Sequence, residues 1–162
     1  MQTIKIKYKT LNENLSLIKT YQRQYSSLLH YVYNRTLENI SQKEIKERVK
    51  HLSNISLLDS WFTQSSIFDA KTLSQRDDKI IFGGKKNFYN RLKGKISKSE
   101  YKSKRLSPIY IIGEASKSGN RFIQILDSLD KVLIKFDKQT HIIIELINVK
   151  NRINILSKSF LI

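Results

Sequence analysis

Between Leu15 and Ile40 lie twenty-six residues without a glycine or a proline. Their apolar members are Leu15, Ile18, Tyr25, Leu28, Leu29, Val32, Tyr33, Leu37 and Ile40, separated mostly by steps of three and four. That spacing puts one apolar stripe along a single long helix, which must find a partner surface to bury it. Asn12 or Asn14 is placed to cap its start. Ser41 precedes Glu44 by three residues, a capping box that opens a second, shorter helix to about Leu52. Only Ile45, Val49 and Leu52 interrupt its charges, so it packs lightly. A third helix is expected from about Ser56 to Leu73, with Trp61 as a packing anchor.

The rest of the chain changes period. Ile4, Ile6 and Tyr8 alternate with lysines, as in a half-buried strand. Lys79–Phe82, Ile109–Ile112, Arg121–Leu126, Val132–Phe136 and His141–Ile147 are β-branched or aromatic runs, each with strand character. Lys117-Ser118-Gly119-Asn120 suits a tight turn joining two of them into a hairpin. The organisation predicts an α+β fold, a small antiparallel β-barrel with a three-helix insertion after the first strand. Residues 1–10 and 76–147 would form the barrel and 11–75 the helical insert. Residues 148–162 form an apolar tail that either tucks into the core or leads on to a continuation.

Charge narrows the function. Thirty Lys and Arg face fourteen Asp and Glu, a net +16, yet the chain is 40% hydrophobic with eight Tyr and seven Phe. That is too apolar for a disordered polybasic tail. The absence of cysteine removes disulfides and thiolate-held zinc and suits a reducing, cytoplasmic setting. No apolar run is long enough for a membrane span, and the first ten residues are not a signal peptide.

Half of the net charge, +8, falls between Arg76 and Arg105, where eleven cations meet Asp77, Asp78 and Glu100. Phe88, Tyr89 and Tyr101 are interleaved with them, and Gly83, Gly84 and Gly94 interrupt any amphipathic helix through the patch. Dense cations with aromatic faces favour a sugar–phosphate partner, held by counterion release and base stacking. The candidate contacts are Lys85, Lys86, Arg91, Lys93, Lys95, Arg105 and Arg121 to phosphates, and Phe88, Tyr89 and Tyr101 to bases. Lys5 and Lys7, outward on the first strand, would extend the same groove.

Chemistry is harder to find. Asp77-Asp78 with Glu100, or Asp127 with Asp130, could in principle hold a divalent ion between carboxylates, but both pairs suit turns for backbone reasons. His30, His51 and His141 are scattered. No nucleophile elbow, phosphate-binding loop or zinc-protease motif occurs. The expectation is no catalytic residue, no metal and no cofactor.

The helix with Leu28-Leu29-His30-Tyr31-Val32-Tyr33-Asn34-Arg35 resembles the Tyr-Asn-containing helix near the start of insertion-sequence OrfB/TnpB proteins. These are RNA-guided nucleases related to type V CRISPR effectors. Trp61, Ser65 and Ala70 fall where that family has its next helix. Phe82-Gly83-Gly84-Lys85-Lys86-Asn87-Phe88, Arg91 to Ser97, Arg105-Leu106-Ser107-Pro108, Ile112-Gly113-Glu114-Ala115 and Gly119-Asn120-Arg121 are similar to a branch of it. The resemblance covers most of this chain but only the N-terminal part of the family's length. It implies a wedge domain, an oligonucleotide-binding-like barrel, with a helical recognition insert that holds a structured guide-type RNA and meets duplex DNA. The RuvC-like nuclease and zinc ribbon of that family are missing here, so the resemblance implies a binding module rather than an enzyme, completed by a separate nuclease subunit or by dimerisation. The alternative is a small basic interaction or inhibitor protein acting on a related nuclease or its nucleic acid.

Overall fold

In the computed structural model, residues 7–9, 12–52, 58–111, 122–126, 130–137 and 139–147 are described. They form five helices and four strands. The chain divides into two compact units, one of Met1–Leu17 with Gly113–Ile162, the other Ile18–Ile112. The cationic segment 76–105, assigned above to the barrel, therefore lies in the helical unit.

The first unit is a sheet. Strands β1 (Lys7–Lys9), β2 (Ile123–Ile125), β3 (Lys131–Lys135) and β4 (His141–Ile147) lie in the order β1-β4-β3-β2, all antiparallel. The N-terminal strand thus returns to the last one, Lys7 facing Ile147 and Lys9 facing Glu145. Along β4, Ile142 and Ile144 are buried while His141, Ile143, Glu145 and Ile147 are exposed, the period of two that a one-sided sheet demands. Val132 lies opposite Ile144 and joins that buried face, with Phe122 and Phe136 beside the strands in sequence and also buried. The β3–β4 turn is held by Asp137, whose carboxylate accepts from the N–H groups of Gln139 and Thr140 at 2.8 and 2.7 Å. Among the described residues the sheet is open, with β1 and β2 at its edges. The turn at 117–120 lies outside the described residues.

The helical unit is built on α1 (Asn12–Leu37), which starts in the first unit and continues into the second. Asn12 is its first helical residue and Asn14 lies inside it, so neither caps it from outside. Tyr21, Tyr25, Leu28, Leu29, Val32 and Tyr33 are all buried, a stripe advancing by three and four. Helix α2 (Gln42–Val49) begins where its capping box predicts, the Ser41 hydroxyl accepting from the Glu44 N–H at 3.2 Å. Ile45 and Val49 bury its inner face. Helix α3 (Ser60–Ser74) starts later than its pattern suggests, capped by Asp59 onto the Trp61 N–H at 2.8 Å. Phe62, Ser65, Ser66, Ile67 and Ala70 are buried, and Phe62 meets Tyr25 edge-on at 6.2 Å. Trp61 is half-buried in the first turn.

Two expected strands, at 79–82 and 109–112, do not form among the described residues, Ile112 lying outside them. At 79–82 the backbone lies along α1: the Ile80 N–H donates to the Tyr33 hydroxyl at 2.9 Å, and Phe82 packs on His30 and edge-on against Tyr33. At 109–111 Tyr110 stacks on Phe68 with 6.4 Å between ring centroids. Apolar runs here cover helices rather than pair with strands. The patch is two short helices, α4 (Lys85–Leu92) and α5 (Lys98–Lys104). Gly83 and Gly84 precede α4 and Gly94 follows it, so the glycines do keep one helix from running through the patch. Gly84 takes φ 83° and ψ 148° as the N-cap of α4, a conformation that side chains oppose.

Candidate nucleic-acid interface

Helix α4 sorts its residues by face. Asn87, Phe88, Asn90 and Arg91 are half-buried, while Lys85, Lys86, Tyr89, Leu92 and Lys93 are exposed. Steps of four from Lys85 to Tyr89 to Lys93, and of three from Lys86 to Tyr89, put the tyrosine among three ammonium groups. Tyr89 keeps 55% of its surface accessible, and Leu92 keeps 67%.

The inner side is held by packing and hydrogen bonds. Phe88 meets Tyr89 edge-on at 5.6 Å and Tyr101 at 6.3 Å between centroids. The Asn87 amide donates to the Gly83 carbonyl at 2.6 Å, and the Tyr101 hydroxyl to the Phe82 carbonyl at 3.2 Å. Lys95 closes the turn after α4 by donating its N–H to the Asn90 carbonyl at 2.8 Å. Helix α5 has its own capping box, the Ser97 hydroxyl accepting from the Glu100 N–H at 3.0 Å. Arg105 ends it, its guanidinium over the Tyr101 ring at 5.8 Å and 3.2 Å from the His30 ring. Of the three aromatics named as stacking platforms, Tyr89 alone is exposed; Phe88 and Tyr101 are half-buried in this packing.

Little of the charge is neutralised. Lys85 pairs with Asp78 at 3.0 Å and Lys104 with Glu100 at 3.6 Å, all four side chains well exposed. Hydrogen bonding to Asp78 holds the Lys85 ammonium above its ordinary pKa. Asp78 and Glu100 are thus engaged by lysines. Among the described residues Lys86, Arg91, Lys93, Lys95, Lys98, Lys102 and Arg105 make no ion pair with a carboxylate.

Lys7 is in β1, in the sheet unit, and Lys5 and Arg121 lie outside the described residues, as does Asp127. Among the described residues no group of three or more His, Asp or Glu gathers as metal ligands, and no helix is long and apolar enough to cross a membrane.

Sequence reasoning missed the role of Ser26. Its buried hydroxyl donates to the Gln22 carbonyl at 2.7 Å and accepts the Ser107 N–H at 2.8 Å, tying α1 to the segment after α5. A serine amid apolar helix positions was the available signal. His30 was passed over as an ordinary helix residue, yet burial first, and the Arg105 cation second, lower its pKa to about 4, against an opposing pull from the Arg105 backbone. The imidazole is therefore neutral near pH 7.

A family model described as the SSO2105 N-terminal domain matches residues 1–159. The chain belongs to that family. No curated protein and no solved structure matches it. The description SSO2105 N-terminal domain names a position and no activity.

Proposed function

We propose that this chain binds nucleic acid through the exposed face of α4 and the turn that follows it. The observation that carries the reading is Tyr89, open to solvent between Lys85, Lys86 and Lys93. A base can lie on the ring while the lysines meet adjacent phosphates, the pairing of stacking platform and cationic track used for single strands. Arg91, Lys93, Lys95 and Lys98 continue the track without acidic partners among the described residues. Phosphate contacts of this kind position a strand rather than specify its sequence.

The partner in this reading is a structured RNA of the guide type, with duplex DNA as a second ligand. It rests on the resemblance to OrfB/TnpB proteins together with the α4 face. The four-stranded sheet is then the described part of a wedge-type barrel, and the chain acts as a cytoplasmic binding module.

The test titrates a labelled structured RNA and a duplex DNA against the wild type and a Lys86→Glu, Lys93→Glu, Lys95→Glu variant at two salt concentrations. Wild-type affinity should fall steeply between 50 and 200 mM salt, by about a thousandfold if some six phosphates are neutralised. The variant should bind weakly and with a shallower salt slope. Binding indifferent to the three reversals refutes the reading. One observation favours a second reading, a protein-docking module acting on a related nuclease: Leu92 is the most exposed large apolar residue among those described and neighbours Tyr89. Loss of a protein partner on Leu92→Asp, with nucleic acid binding absent, would select it.

A further inference from the structure

Between α1 and α5, a cleft of about 410 Å³ opens within the helical unit. Arg23, His30, Lys102 and Arg105 line it, with four serines and one leucine, and no carboxylate is among the lining residues. Three cations therefore face one concavity with nothing acidic in its wall.

None of the three is neutralised elsewhere among the described residues. The acid nearest in sequence to Lys102 is Glu100, which turns to Lys104. Arg105 is steered by its contact with His30 Nδ1 and by the Tyr101 ring, which occupies one terminal nitrogen of a group with five N–H donors. A neutral imidazole fixes the guanidinium without cancelling its charge. Arg23 is exposed on α1 and makes no ion pair among the described residues. Like charges converging on a cleft repel one another, and an anion relieves that cost while gaining their hydrogen bonds.

The size and the donors indicate which anion. The volume lies within the range of small-molecule pockets, larger than a halide requires. Guanidinium forks with an ammonium suit the several oxygens of a phosphate. The Ser27 and Ser103 hydroxyls already donate to the Arg23 and Glu100 carbonyls, so they form polar walls and the cations supply the binding donors. We infer that this cleft is a binding site for a phosphate monoester, held by Arg23, Lys102 and Arg105. The group comes either from a free nucleotide or from the phosphorylated end of an oligonucleotide. The site goes beyond the α4 face and shares with the proposed interface only Arg105; the oligonucleotide source alone rests on that earlier reading.

The experiment uses the full chain. Inorganic phosphate and AMP are titrated calorimetrically, and their effect on the thermal midpoint is followed in parallel. A 5′-phosphorylated oligoribonucleotide is compared with its 5′-hydroxyl twin. Arg23→Gln with Lys102→Gln, two exposed positions, should weaken AMP binding at least tenfold and abolish the ligand-induced rise in midpoint, with an unchanged midpoint in ligand-free buffer. The α4 triple reversal should leave AMP binding intact, which separates failure of one site from failure of the other. A preference of tenfold or more for the phosphorylated oligonucleotide assigns the source to a nucleic acid end; AMP binding without that preference assigns it to a free nucleotide. Absence of phosphate, AMP and end-phosphate binding, or AMP binding untouched by the double variant, overturns the inference.

Discussion

The guanidinium of Arg105 lies 3.2 Å from Nδ1 of His30, so a permanent cation donates to the lone pair of a neutral imidazole. Protonating His30 would destroy that acceptor and set two positive charges side by side. With Phe82 packed on the ring at 3.8 Å between centroids, the imidazole cannot easily turn away.

Acid should therefore loosen the helical unit through this pair. The His30 pKa is lowered from 6.5 to about 4 in the folded chain, so its contribution is complete above about pH 6.5 and lost as pH falls towards 4. Allowing for solvent screening at a partly exposed ring, the loss is about 1–2 kcal/mol. Urea midpoints measured from pH 7 to pH 4 should fall for the wild type. His30→Gln, which does not titrate, should flatten that part of the profile.

Ser26 bridges α1 and the Ser107 backbone from a buried position. Ser26→Ala leaves the Ser107 N–H without its acceptor, at a cost of about 1–3 kcal/mol. Ser27→Ala removes only an exposed back-bond to the Arg23 carbonyl and should change stability by less than about 0.5 kcal/mol. Chemical denaturation of both variants checks the contrast.

A methyl group at Gly83 would meet Arg105 Cγ at 3.0 Å and Tyr101 Cε2 at 3.3 Å, on a backbone at φ +89°. At Gly84 it would meet nothing within 4 Å, so only the backbone conformation opposes it. Gly84→Ala should cost about 1–3 kcal/mol for strain alone, and Gly83→Ala more, because Tyr101 and Arg105 must also shift. Near-UV circular dichroism should change with Gly83→Ala, since Tyr101 sits on that contact.

The two neighbouring aromatics of α4 should separate binding from folding. Tyr89→Ala is expected to cost about 1–3 kcal/mol of single-strand affinity and to leave the unfolding midpoint nearly unchanged. Phe88→Ala removes a half-buried ring that packs on Tyr101 and should lower stability first. Equal effects of both changes on stability, with none on affinity, would remove stacking from the proposal.

Legibility followed how strongly each segment advertises its period. The stripe through Tyr25, Leu28, Leu29, Val32 and Tyr33 shows α1, though it runs Asn12–Leu37 rather than Leu15–Ile40, and Ser41 with Glu44 marks the start of α2, which ends at Val49 rather than about Leu52. The β-branched run His141–Ile147 marks β4. Helices α4 and α5 were hidden because most of their positions are polar or charged, leaving too few apolar residues to show a period. Ser97 with Glu100 nonetheless repeats the very capping signal of Ser41 with Glu44. The runs at 79–82 and 109–111 look like strands because a β-branched or aromatic run packs equally well across helices, as Phe82 does on Tyr33 and Tyr110 on Phe68. Of the site, the identity of the cations was legible. Which aromatic is open to solvent was not, since that depends on how Phe88 and Tyr101 close on each other.

The pairing of Lys7–Lys9 with Glu145–Ile147 has a consequence for how the chain is made. On the ribosome the first strand emerges well before its partner β4, with every other described element made in between, while α1 to α3 find theirs within their own stretch. The helices can settle during synthesis, but the amino-terminal edge must wait, unzipped, until β4 has been made.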